Sequence, residues 1–141
     1  MRALSDETGT ATILFSLALT VLTLLFLAVA VDISRAVSLR AVLGKAADAG
    51  ARAAAKEIRL DVAERSGRVA IDLPRARVEA TEYVDLNAAD ATSLGGRVTR
   101  IEVWARGEDV FVRVTATADL SPLVGDRTLS TTRSARIKAF R

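Results

Sequence analysis

The sequence predicts an α+β protein. A long N-terminal helix crosses a membrane over residues 10–31 and continues as a stalk over 32–60. A small antiparallel-sheet head with one covering helix fills residues 61–141. Three observations predict this. Thr10–Val31 holds 22 residues without a formal charge, and a helix needs roughly 20 apolar residues to cross a hydrocarbon core of about 30 Å. From Asp32 to about Arg59 the chain has no proline and is rich in alanine, the best helix former. Near Ile101 the apolar period changes to two, the period of a strand.

The span is interrupted only by Thr10, Thr12, Ser16, Thr20 and Thr23. In a helix these hydroxyls bond back to carbonyls of the preceding turn and so cost little. A buried core helix is the alternative, but 141 residues hardly surround such a rod. A cleaved secretory signal would have a shorter apolar region ending in a small-residue cleavage site. Here the block runs unbroken into Asp32-Ile33-Ser34-Arg35. Asp32 and Arg35 therefore mark the membrane boundary. A count of Lys and Arg beside the span would place its C-terminal side in the cytoplasm.

The stalk carries opposite charges at helical neighbours: Asp32 with Arg35, Lys45 with Asp48, and Asp48 with Arg52. Ala47, Ala51 and Ala55 recur every four residues, as do Ala46, Gly50 and Ala54. Strips of such small side chains let helix backbones approach closely. A whole helix over about Ala11–Arg59 would be about 70 Å long. That is long for one small head to cover, so the strip is expected to meet helices of other subunits.

"LDVAERSGR" is expected to end the helix, with Gly67 as the stop. Arg68–Leu73 reads as a short strand. Pro74 opens a second helix over about 75–89, with Ala76, Ala80, Tyr83, Val84 and Asn87 at helical spacing. Gly95-Gly96 is a break. Ile101, Val103 and Ala105 alternate with Glu102, Trp104 and Arg106, and "RGED" turns the chain. Val110, Val112, Val114, Ala116, Ala118 and Leu120 then alternate with Phe111, Arg113, Thr115, Thr117 and Asp119 as a half-buried strand. After "SPLVGD", a third strand over Arg127–Ala139 sets Leu129, Ala135, Ile137 and Ala139 on one side. The sheet's apolar face needs a cover, which the second helix or the tail of the first can supply.

The chemistry is sparse. The chain has no cysteine and no histidine, which removes disulfides, thiolate metal sites, the commonest metal ligand and the commonest neutral-pH acid–base group. Glu79, Glu82 and Asp85 read as a solvated helix face, and "GGR" at 95–97 lacks the lysine and spacing of a phosphate loop. No enzymatic activity, metal or cofactor is expected. The net charge of +3 is spread along the chain. Arg97, Arg100, Arg106 and Arg113 alternate with Glu102, Glu108 and Asp109, which argues against a nucleic-acid partner. Trp104 and Phe111, on the polar face of the hairpin, are a candidate contact patch. They support an alternative function, a membrane-tethered extracytoplasmic module that recognises a ligand or surface through its sheet.

Asp6–Ala55 resembles the N-terminal segment of TadE/TadG-like proteins of the tight-adherence (Tad, or Flp) pilus system. The resemblance rests on Glu7 and Gly9 before the span, Ala30-Val31-Asp32 with Arg35 after it, and Ala46-Ala47-Asp48-Ala49-Gly50-Ala51. Val110–Gly125 also looks like that family's C-terminal strand pattern. The resemblance implies a pilin-like subunit, a minor pseudopilin or accessory protein, in the bacterial inner membrane, with a cytoplasmic N-terminus and an extracytoplasmic head. Its implied partners are other pilin-like subunits or platform proteins of the pilus or secretion machinery, in homo- or hetero-oligomers that assemble through the long helix. It also implies a leader over 1–9 with cleavage between Gly9 and Thr10. Where such relatives carry a glutamate five residues into the mature helix, this chain has Leu14, a departure that brings it closer to TadG than to TadE.

Overall fold

The computed structural model describes residues 3–59, 70–120 and 125–137, with residues 3–8 described by backbone alone. The expected stop at Gly67 and the strand position of Ala139 lie outside the described residues. One helix, α1 (Ala3–Ala54), runs through both the apolar block and the alanine-rich stalk. Its 52 residues span about 78 Å at 1.5 Å per residue. The junction at Asp32 is unbroken because nothing there opposes a helix.

α1 stops five residues before Arg59. Lys56 and Glu57 donate back to Ala53 and Ala54 in a tightened last turn, and the chain then extends. Ile58 forms an antiparallel bridge with Ile71. Arg59 N–H donates to the Ala70 carbonyl (2.8 Å) and Asp72 N–H to the Glu57 carbonyl (2.9 Å). Of the strand expected at Arg68–Leu73, residues 68 and 69 lie outside the described residues and Ile71 forms this bridge. The strand goes no further because Asp72 caps a helix: its carboxylate accepts from Arg75 N–H (3.3 Å), with Pro74 in the first turn. That helix, α2 (Leu73–Asn87), is followed by the short α3 (Ala89–Ser93).

Three strands follow: β1 (Gly96–Arg106), β2 (Asp109–Ala118) and β3 (Arg127–Arg136). They form an antiparallel meander in the order β1-β2-β3. Arg106 pairs with Asp109, so Gly107 and Glu108 make a two-residue hairpin loop. Gly107 has φ +62° and Glu108 has negative φ, as a turn with glycine at its first central position requires. β1 begins five residues before the expected Ile101 and carries a bulge between Val98 and Arg100. Alternation is lost at a bulge, which is why the pattern reads cleanly only from Ile101.

Val110, Val112, Val114, Ala116 and Ala118 are all fully buried. Both candidate covers are used. α1 lies over β2 and β3, while α2 lies beside α1 and over β1. The head is thus a two-layer arrangement with the last four turns of α1 at its centre. α2 runs antiparallel to α1. Its cap residue Asp72 bonds to Glu57, Val84 meets Gly50, and Ala91 beyond its end meets Gly96, which touches Leu39. The sheet's Gly96 end therefore lies beside Leu39, and Val112 lies beside Gly50. The hairpin loop points away from the apolar half of α1. β3 is an edge strand, and Arg127, Arg133 and Arg136 along it oppose edge-to-edge pairing with a second copy.

Candidate functional site: an apolar rod and its junction with the head

The apolar half of α1 is bare. Its 18-residue window of highest mean hydropathy, 2.7, is 0% buried within the chain. Ile13, Leu14, Phe15, Leu17, Val21, Leu24 and Phe26 all stand exposed. They cover every side of the helix, which suits a hydrocarbon surround. Thr20 and Thr23 hydroxyls donate to the Ser16 and Leu19 carbonyls, both at 2.8 Å, so these polar groups are satisfied inside the rod. Gly9 and Thr10 sit within α1, and nothing would crowd a side chain at Gly9.

The boundary residues diverge. Arg35 is exposed, whereas Asp32 is 3% exposed. Of the three expected ion pairs, Asp48–Arg52 forms (2.7 Å), while Arg35 and Lys45 make none among the described residues.

The small-residue strip has a different occupant from the one the sequence suggested. Ala46, Ala47, Ala51 and Ala54 are completely buried in the chain's own head, and Ala55 packs against the same core. A Cβ at Gly50 would lie 2.7 Å from Val84 Cγ2, 3.0 Å from the Ala80 carbonyl oxygen and 3.6 Å from Val112 Cγ1. The strip lets α1 approach α2 and the sheet within one molecule, so five of these six residues are buried and only Ala55 keeps some free surface. The sequence reading took α1 as longer than the head could cover. α2 folds back along the stalk and, with the sheet, covers it from Leu39 to Ala54.

On the sheet's outer face Trp104 and Phe111 are directly paired across β1 and β2. Their rings stack with centroids 5.6 Å apart and planes 9° apart, and the Arg113 guanidinium lies 5.3 Å from the Trp104 ring. Glu102 pairs with both Arg100 (3.4 Å) and Arg113 (3.5 Å). Arg113 also donates to the Thr132 hydroxyl (3.2 Å). At the far end Arg136 donates to Asp109 (3.2 Å). That bond, with the charges of Asp109 and Glu108, holds the Arg136 guanidinium above its ordinary pKa. Of the four sheet arginines named from the sequence, Arg100 and Arg113 are matched by Glu102. A cleft of about 470 Å³ beside this face is lined by Arg77, Thr81, Arg100 and Trp104, among others. Among the described residues no group of three His, Cys, Asp or Glu is placed to hold a metal ion.

Trp104 is the chain's one tryptophan, so its fluorescence reports this cluster directly. Phe111→Ala is expected to red-shift the emission and cost about 1–2 kcal/mol, as loss of an aromatic pair and of apolar area implies. A thermal melt followed at the tryptophan band checks both.

A single-helix apolar anchor carrying a small α+β head defines the class of protein. Within that class, residues 9–57 match the Tad family model, described as "Putative Flp pilus-assembly TadE/G-like". Over these residues, about a third of its length, the chain is similar to that family. The match begins at the foot of the apolar block and ends three residues after α1. No curated protein and no solved structure matches the chain.

Proposed function

We propose that this protein is a membrane-anchored, non-enzymatic pilin-like accessory subunit or minor pseudopilin of a Tad-type pilus or related secretion machinery. The observation that carries the reading is the coincidence of the family match, residues 9–57, with α1. The matched segment is the part of the chain that leaves a large apolar surface bare. In this reading the anchor lies in the bacterial inner membrane with the head on the extracytoplasmic side. Contacts with other pilin-like subunits or with platform proteins run through the exposed apolar half of α1. The strip at Ala46–Ala55 acts one step earlier, by holding the head upright on the rod. Processing between Gly9 and Thr10 belongs to the same reading.

The test is photo-crosslinking in cells from residues on the bare rod, such as Leu14 and Leu24, with Ala47 as an internal control. The expected result is crosslinks to pilus-system proteins from the rod and none to other chains from Ala47. Silence along the rod, with crosslinks from the Trp104 face instead, would overturn this reading in favour of a tethered binding module. Mass spectrometry of the mature N-terminus reads the Gly9–Thr10 junction.

A further inference from the structure

The charge boundary and the apolar boundary of α1 do not coincide. Past Asp32, Ile33 and Val37 are 60% and 64% exposed. Spaced four apart, they continue a stripe through Phe26 and Ala30 along one side of the helix. Asp32 does not interrupt the stripe, because it is buried, at 3% exposed. The first charges α1 presents to its surroundings beyond the apolar block are therefore Arg35 and Arg40, both exposed. Neither makes an ion pair among the described residues. Exposed Arg97 and Arg127 stand at the same end of the sheet, with Asp90, Asp119 and Asp126 beside them. On α1 itself, from Ile33 to Arg40, no acidic residue accompanies the two arginines.

The lengths agree with a second boundary. Thr10 to Val31 rises about 33 Å at 1.5 Å per residue, which matches the hydrocarbon core. Val31 to Val37 rises a further distance of about 9 Å, comparable with one headgroup layer of about 5–8 Å. Ile33 and Val37 then fall at headgroup depth. Arginine side chains a turn away are long enough to reach lipid phosphates while their stems stay on apolar surface.

We propose that the headgroup layer of an anionic bilayer covers this collar, with Ile33 and Val37 embedded at its depth and Arg35 and Arg40 bound to lipid phosphates, seating the head against the membrane. This rests on the membrane-anchored reading above.

The chain has no cysteine, so single sites can be labelled cleanly in the full-length protein. Leu22→Cys, Val37→Cys and Glu82→Cys would each carry an environment-sensitive fluorophore. The protein would be placed in nanodiscs of phosphatidylcholine alone or mixed with phosphatidylglycerol. The label at 37 is expected to emit between those at 22 and 82 and to be quenched by a spin-labelled headgroup. That quenching is expected to drop by about twofold in the Arg35→Gln/Arg40→Gln background and in the zwitterionic discs. A water-like label at 37 beside a lipid-buried label at 22 would overturn the collar and leave the anchor standing. A water-like label at 22 would overturn both. A label at 37 shielded from lipid and water alike would mean that protein covers the stripe. Equal quenching in both lipids would overturn the assignment to anionic headgroups.

Discussion

Gly50→Leu is expected to unfold the head while leaving the apolar half of α1 helical. Even the first added carbon meets Val84 at 2.7 Å and the Ala80 backbone oxygen at 3.0 Å. A side-chain tip can rotate away, but a helix carbonyl moves only if α2 moves with it. Overpacking of a tight core costs about 1–3 kcal/mol and sometimes more, and the backbone contact puts this site at about 3 kcal/mol or above. For a head of this size that lowers the melting temperature by roughly 12 °C or more. Hydrogen exchange on the full chain in detergent separates the two halves. β2 amides should lose protection, while those around Val21 should keep theirs. Ala47→Leu and Ala51→Leu belong to the same class, since both sites are fully buried. Asp48→Ala on the exposed side of the same turns should change stability by no more than about 0.5 kcal/mol. An unchanged melt for Gly50→Leu would show that α1 does not pack this closely against α2 and the sheet.

The second large effect concerns the rod. Thirteen Leu, Ile, Phe and Val side chains between residues 10 and 31 favour insertion by roughly 4–8 kcal/mol in total at about 0.3–0.6 each. One lysine near the helix centre costs about 3 kcal/mol. Val21→Lys is therefore expected to lower the inserted fraction, and Val21→Lys/Leu22→Lys to abolish it. Carbonate extraction of membranes reads both variants. The wild-type chain should stay with the pellet and the double variant should leave it. Thr81→Lys on α2 should fractionate as wild type. Retention of the double variant would mean that something other than hydrocarbon surrounds residues 10–31.

Much of this architecture is legible without coordinates. The uncharged block, the alanine-rich continuation and the alternation along β2 each depend on residues close in sequence. Local periodicity therefore reports them. The RGED turn was readable for the same reason, since a glycine with φ +62° is a local demand. The Thr99 region of β1 was not readable, because a bulge erases the alternation that marks a strand. The strand expected up to Leu73 stops at Ile71 because Asp72 and Pro74 start a helix there.

By itself, then, the sequence determined the rod's continuity through Asp32 and the lack of charge over Thr10–Val31. Hydrocarbon compatibility is additive over residues, so no fold is needed to compute it. What lies against the rod was decided only by the tertiary structure. A strip of alanines and Gly50 says that something comes close, and the same strip suits a neighbour's helix or the chain's own α2. Contact identity depends on where residues 73–118 return in space, which no local pattern encodes. The structure brings Val84, Ala80 and Val112 onto Gly50 and turns Asp32 inward. The apolar half of α1 stays bare.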